Sequence, residues 1–476
     1  MGVAGGGLHR FGVTSPTGTS FPHALALLGA GAMFMEILDA TIVATALPAI
    51  GAAFDVRPLD ATVVVTSYLI TLAVLIPLSG WVADRFGVRR VFLCAMVLFT
   101  IASAGCAVAP SLAVLVGMRV LQAAGGAMMV PVGRLAVLRS VERSDIVRAI
   151  AYLTWPALIA PVLAPLLGGL IVTHTSWRWI FAINIPLGVL GLAVAFVVCR
   201  PAESGSGRRP LDVPGVIATT VAVGAAMLAA QELTATHPRW WWLSVTAGVA
   251  VIVGYLALAR LRSSPHPLLN LDVLRVHSLA TVIGYGTVYR MAITAVPFLL
   301  PLMFQLRFGW TPVAAGAMVA ALFVGNVVIK PLTTPMMRRW GIRGVLTVDL
   351  SASVLGFVAL AMLGPATASV VIATVLVISG ALRSIGFSAY NTLAFSDVDP
   401  DDLSDANALH AAVQELGSAF GVAVGAVAVA AFSGAADGLP AGPYSAAFLL
   451  LGALMAVCAV GAVRLPVGAG RQAVGG

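Results

Sequence analysis

GWVADRFGVRR, residues 80–90, sets one aspartate, three arginines and two glycines between two long apolar runs. Each run is close to 20 residues, enough to cross a hydrocarbon core of about 30 Å as a helix. A second stretch, PMMRRWGIRG (335–344), follows the tenth apolar run as the first follows the second. Both close on Arg, an aromatic, Gly, one residue and Arg, and each lies roughly 60 residues after the start of its own block of spans. The simplest reading is an all-α polytopic membrane protein of two six-helix bundles, with two inserted helices at about 213–259. Paired halves suit carriers, which rock one half against the other around a central site.

Composition agrees. Of 476 residues, 60% are hydrophobic and 10% charged, with mean hydropathy +1.00; a soluble domain carries about 25% charged residues. The net charge of +8 sits in short loops without aromatic interleaving, so it signals topology and not nucleic-acid binding. Cys94, Cys106, Cys199 and Cys458 fall in or at the ends of apolar runs without metal-ligand spacing. They read as buried small hydrophobes.

Fourteen transmembrane helices are expected. Six lie at about 23–50, 61–81, 91–109, 112–135, 149–172 and 179–199, and two at 213–232 and 240–259. Six more lie at 279–304, 312–336, 344–364, 368–391, 407–433 and 444–464. The chain then divides into a disordered tail (1–22), an N-terminal bundle (23–200), a linker with the inserted pair (201–262), a C-terminal bundle (263–466) and a short tail (467–476). With both termini cytoplasmic, 18 of 27 basic residues lie inside, four outside and five within spans; that bias sets the orientation. Trp177, Trp179, Trp240, Trp241, Trp242 and Trp310 fall near the outer interface, as an aromatic belt would.

The spans hold Arg119, Arg134, Arg290, Lys330 and Arg383 against Glu36, Asp39, Asp349 and Glu415. Near balance suggests pairing in a polar interior, since an unpaired central charge costs about 2.5–3.5 kcal/mol on insertion scales. Glu36 and Asp39, three apart, share a helix face. Such acids can gain and lose protons as water access changes, or can simply tie helices together. Asp39 is the first-choice partner for Arg119. Glu415 suits either a second proton site or a local structural pair. Asp349 and Lys330 lie close to the inner surface, where a structural role leads.

Pro156, Pro161 and Pro165 interrupt the fifth span, and Ala157, Pro161, Ala164 and Gly168 form a small-residue ladder. A gating helix and plain close packing both fit. In the 80–90 turn, Gly80 and Gly87 allow a tight reversal, and Asp84 can accept charge-assisted bonds that clasp the halves in one state. Span position and polarity nominate Tyr68, Gln122, Tyr152, Tyr289, Arg290, Asn326 and Tyr390 as a central substrate pocket.

LDATIVATALP (38–48), GWVADRFGVRR (80–90), RVLQAAGGAMMVPVGR (119–134), APVLAPLLGG (160–169), SWRWIFAINIPLG (176–188) and LDVPG (211–215) stand in order along the chain. Together they resemble the major facilitator superfamily, and within it the 14-helix drug:proton antiporter branch, nearest the MdtD-like group. The resemblance covers about residues 23–465. It implies proton-driven export by alternating access. It puts the membrane-embedded aspartate at Asp39 and the proton-transfer arginine at Arg119, with Gln122, Gly125 and Gly126 in the same motif. The conformational clasp falls on Gly80, Asp84, Arg85, Gly87 and Arg89, and the antiporter hinge on Pro161, Pro165, Gly168 and Gly169. The family usually has Asn at Ala44 and glycines at Ala160 and Ala164, and uncharged residues at Glu36 and Glu415. The extra acids favour a cationic substrate.

The expected function is proton-coupled efflux of small lipophilic or cationic compounds from the bacterial cytoplasmic membrane. The expected protein is a monomer whose partners are substrate, protons and lipid, with no metal, cofactor or nucleic acid. A proton-linked exporter of one metabolite is the alternative. A membrane enzyme or sensor finds no support, because HExxH, nucleophile-elbow and P-loop patterns are all missing.

Overall fold

A computed structural model describes residues 22–140, 146–198, 212–235, 238–264, 267, 269–399, 402–433 and 439–466. Most of both expected tails and of the linker before residue 212, with Cys199, Arg143, Arg200, Arg208 and Arg209, lies outside these residues. In chain order the helices begin with α1 (His23–Ala53), α2 (Val63–Leu75), α3 (Ser79–Phe86), α4 (Val88–Ala107), α5 (Leu112–Arg139), α6 (Ile146–His174), α7 (Trp179–Ala182) and α8 (Asn184–Val198). There follow α9 (Val213–Leu233), α10 (Trp240–Ser263), α11 (His277–Thr281), α12 (Thr287–Leu302), α13 (Pro312–Ala361), α14 (Ser369–Phe395), α15 (Leu403–Ala431) and α16 (Pro443–Val463).

Twelve helices among the described residues are long and apolar enough to cross a membrane, counting α13 once, and Leu158–His174 is a shorter apolar stretch. The 50-residue α13 replaces the two expected spans 312–336 and 344–364. At 1.5 Å per residue it would run about 75 Å if straight, but Gly341 breaks it with φ 71° and ψ 158°. Gly87, between α3 and α4, holds φ 86° and ψ 136°. The two sequence repeats thus turn on glycines of matching conformation, in a region that side chains avoid. Gly80, expected to share that reversal, lies inside α3 and contributes no turn. The sixth span is interrupted near Ile183 into α7 and α8.

Helices α1–α8 pack chiefly on one another, as do α11–α16. Contacts between the two groups run through α6 with α13, α2 with α15, and α1 with α12. The inserted α9 and α10 pair together, and α9 touches α2 and α15 at their seam, where Met227 packs beside Ala419 and Ala423. LDVPG explains how α9 starts: the Asp212 carboxylate accepts from Gly215 N (3.2 Å) and pairs with Arg260 of α10 (3.1 Å). At the other end Arg57 donates to the Thr234 carbonyl (2.7 Å), while Asp60 holds its guanidinium by two hydrogen bonds and raises its pKa above the ordinary value.

Three expectations need correction. Trp177 is 4% exposed and packs edge-on against Phe54 and Phe181, so it belongs to the core. Trp310 is half-buried and stacks on Phe304. Of the six, Trp179, Trp240 and Trp241 face outward and Trp242 is half-buried. Cys94 faces outward, unlike buried Cys106 and Cys458.

Candidate functional site

Four helices of the N-terminal half converge on Asp39. The residue sits in the middle of α1 and is 0% exposed, as is Arg119 of α5. Arg119 Nη1 donates to Asp39 Oδ2 in an ion pair. Asp39 Oδ1 accepts from Gln122 Nε2 (2.9 Å) and from Asn184 Nδ2 on α8 (2.7 Å). Gln122 Nε2 also donates to Ser103 Oγ on α4 (2.7 Å), and its Oε1 accepts from Arg119 Nη1 (2.7 Å) and from Cys106 Sγ (3.7 Å). Arg119 Nε reaches the Val64 carbonyl on α2 (3.2 Å), and its guanidinium lies over the Tyr68 ring at 4.0 Å. A buried charge is tolerated when paired and hydrogen-bonded, and here the carboxylate has three donors.

Gln122 and Arg119 are three apart, so one helix face presents both. Gly125 lets α5 lie against the α4 backbone, since a Cβ there would sit 2.7 Å from Phe99 N. Gly126 faces Tyr68 Oη and the Glu36 side chain. Tyr68, expected in a pocket, is fully buried, and its hydroxyl has no hydrogen-bond partner. Glu36, half-buried, lies within electrostatic range of Asp39, Arg119 and, across the seam between the halves, Glu415 of α15. Arg290 of α12 bonds Ser418 Oγ (2.8 Å) and lies 5.2 Å from the Phe387 ring.

Of the expected hinge residues, Pro165, Gly168 and Gly169 sit at close helix contacts. Gly168 faces Ile42 and Thr45 of α1, while Gly169 and Pro165 press backbone to backbone on Pro312 and Gly316 of α13. Gln305 Nε2 donates to the Thr45 carbonyl (3.0 Å), a further link across the same arginine-poor end. Asp84 and Arg85 are exposed on α3 and Arg89 is half-buried at the start of α4. Among the other pocket nominees, Tyr289 and Tyr390 are buried 5.1 Å apart. Asn326 is half-buried where α13 meets Gly380 of α14. Tyr152 packs on His23 at the first turn of α1, far along the bundle from Asp39.

Sequence reasoning brought Asp39 and Arg119 together but missed Asn184 and Ser103. Asn184 lies in the quoted SWRWIFAINIPLG motif, and an amide in an apolar run was the available signal. No group of three or more His, Cys, Asp or Glu that could hold a metal ion occurs among the described residues.

A family model for the Major Facilitator Superfamily matches residues 29–422. The chain belongs to the Major Facilitator Superfamily. A putative multidrug resistance protein MdtD from Citrobacter koseri is 37% identical over 405 residues, covering 84% of each chain. One from Klebsiella pneumoniae subsp. pneumoniae is 37% identical over 398 residues, covering 82% of this chain and 83% of its own. Among solved structures, a D-xylose-proton symporter matches with TM-score 0.68 at 15% identity, over 95% of this chain and 99% of its own. A bacterial homologue of the human lysosomal transporter Spinster, inward-facing and unoccupied, matches with TM-score 0.65 at 14% identity, over 96% and 98%. At such identities the likeness concerns the fold alone. This superfamily member is a bacterial multi-pass membrane protein, a transporter of small molecules closely related to the MdtD-like branch and not an enzyme.

Proposed function

We propose that this transporter exports small lipophilic or cationic compounds in exchange for protons. The observation that supports this reading most is the buried Asp39–Arg119–Gln122–Asn184 network. An intramembrane carboxylate with a fixed guanidinium partner can exchange a proton only when the conformation changes around it. Asp39 is the proton-binding group, Arg119 its counter-ion, and Gln122 and Asn184 hold the carboxylate in place. Glu36 and Glu415, within electrostatic range of one another from the two halves, attract a cation or take a second proton. No cofactor takes part.

The proposed alternating access uses two closures. The α6–α13 contact at Gly169 closes the arginine-poor end, and the loop at Asp84, Arg85, Gly87 and Arg89 clasps the opposite end in the other state. The proposed chain crosses the membrane 14 times, α13 twice about Gly341, in two six-helix bundles with α9 and α10 inserted. Both termini are cytoplasmic in the inner membrane, and the monomer is the working unit.

The test uses proteoliposomes and ethidium as a lipophilic cation probe. Imposing an outward proton gradient, interior acid, across inside-out-equivalent vesicles is expected to drive ethidium uptake with measurable proton exit. Asp39→Asn is expected to abolish the driven movement while the protein still inserts. Undiminished driven movement by that variant rejects the assignment. Proton exit in response to a sugar or amino acid, with none for ethidium, moves the assignment to a metabolite exporter.

A further inference from the structure

Asp349 is the acid that the network above leaves unused. It lies eight residues after Gly341, in the second part of α13, and is 3% exposed. Both carboxyl oxygens are buried and neither has a hydrogen-bond partner. Asp39 at similar burial has three donors. A membrane-interior carboxylate with no donor carries a desolvation cost of several kcal/mol. A proton on the carboxyl removes most of that cost.

The internal repeat sharpens the contrast. Ala95 lies eight residues after Gly87, as Asp349 does after Gly341. Ala95 meets Gly125 on the following helix through its backbone carbonyl, whereas Asp349 meets Gly386 on its following helix through a carboxyl oxygen. Close packing at this place in the first half is made by backbone and needs no polar side chain, whereas the second half sets an acid there. A Cβ on Gly386 would lie 2.5 Å from Asp349 Oδ2 and 2.7 Å from Tyr289 Oη, so the carboxyl and the phenol converge over that glycine.

The groups around it are few. Tyr289 of α12 donates its hydroxyl to the Arg383 carbonyl (2.7 Å). Tyr390 of α14, whose hydroxyl also lacks a partner, lies in electrostatic range of Asp349, Tyr285 and Cys458 of α16. Arg383 of α14 does not pair with Asp349; its Nη1 has no partner, and its guanidinium lies 5.3 Å from the Phe323 ring. With Ser353, one turn beyond Asp349, and Ser379, it lines a small pocket. Arg290, the next residue on α12, lies in electrostatic range of Tyr289.

We propose that Asp349 is a second proton-binding residue, seated in the C-terminal half, which carries its proton in this conformation and releases it to water when α13 and α14 shift. On release the carboxyl O–H bond breaks, the proton leaves with the water, and the carboxylate remains, solvated by the water that enters. This rests on the proton-coupled reading above and adds a proton to each cycle.

Infrared difference spectroscopy of the liposome-embedded protein, in light and heavy water, reads the buried acid without any substrate. Wild type is expected to show a carboxylic-acid C=O band at neutral pH that Asp349→Asn removes and Asp39→Asn retains. In the ethidium assay Asp349→Asn is expected to lower the proton-to-ethidium ratio by one. An unchanged band in Asp349→Asn overturns the proposal. A lost band with an unchanged ratio also overturns it, since the proton is then structural. If Asp349→Asn fails to insert, Tyr289→Phe takes over: removing the neighbouring hydroxyl is expected to shift the band, and no shift overturns the proposal. Failure of ethidium movement in wild type rejects the lipophilic-cation reading and leaves the infrared result to stand separately.

Discussion

Breaking the Asp39–Arg119 pair from one side tests whether the network is held by its charges. In Asp39→Asn, one amide oxygen can still accept from Gln122 and Asn184, but the amide NH₂ then faces the Arg119 Nη1 donor. One charge-assisted hydrogen bond, worth about 1.5–3 kcal/mol, is lost. The guanidinium also stays buried beside the Tyr68 ring without a counter-charge, which brings the cost to about 3–5 kcal/mol. Arg119→Gln leaves the carboxylate with two neutral donors and falls in the same range. The double substitution replaces the pair by neutral amides, so it is expected to recover about 2–3 kcal/mol relative to the sum of the single changes. Unfolding in mixed detergent micelles, followed by circular dichroism, supplies the three values. The double variant is expected to regain stability without regaining driven transport. Additive losses, or single losses below about 1 kcal/mol, would refute the view that the charges hold these helices together.

Asn184→Ala removes one of three donors to Asp39 and is expected to cost about 1 kcal/mol; driven transport is expected to weaken but persist, as transport rates in proteoliposomes will show. Gly87→Ala and Gly341→Ala force a side chain into φ 86° and φ 71°. Each is expected to cost about 1–3 kcal/mol, and a thermal melt that separates the two widely would contradict their equivalence. Gly169→Ala drives a methyl into the Pro312 carbonyl. Loosening the α6–α13 contact by about 1.4 kcal/mol is expected to raise maleimide labelling of Ala315→Cys about tenfold. Asp212→Ala removes the α9 cap and its Arg260 partner; about 1 kcal/mol of stability is expected to go, with transport retained.

Helix existence was legible because apolar runs of membrane-crossing length leave few alternatives. Helix ends were less so. The break between the tenth and eleventh expected spans is a single glycine turn, and helix runs up to it on both sides, because α13 spends no polar loop there. Asp39 and Arg119 were legible because an intramembrane charge must find an opposite one. Asn184 and Ser103 were not, since neutral polar residues in apolar helices often bond their own backbone, as Thr100 does to the Met96 carbonyl. Trp177 was misplaced because proximity to a span end says nothing about which way a ring turns.

The inference drawn from the charges within the spans was too simple. Five basic and four acidic residues suggest general pairing, yet Asp39–Arg119 is the ion pair buried on both sides among the described residues. Lys330 bonds Ser388, Arg290 bonds Ser418, and Arg134 is exposed. Arg383 keeps a buried nitrogen unpartnered, and so does Asp349 its two oxygens. An interior built only for stability would pair these groups or replace them with apolar ones, which is often the more stable choice. Groups held apart in one conformation are those whose partners can change in another. The locked pair in the first half and the unpaired acid in the second thus suit one cycle: a rearrangement that exposes Asp39 must break an ion pair, whereas one that exposes Asp349 need only admit water. If the two acids release protons in separate steps, Asp39→Asn and Asp349→Asn will slow different half-reactions, ethidium movement with a gradient and exchange without one. Identical slowing of both half-reactions by both variants would place the two acids in a single step and remove this division of roles.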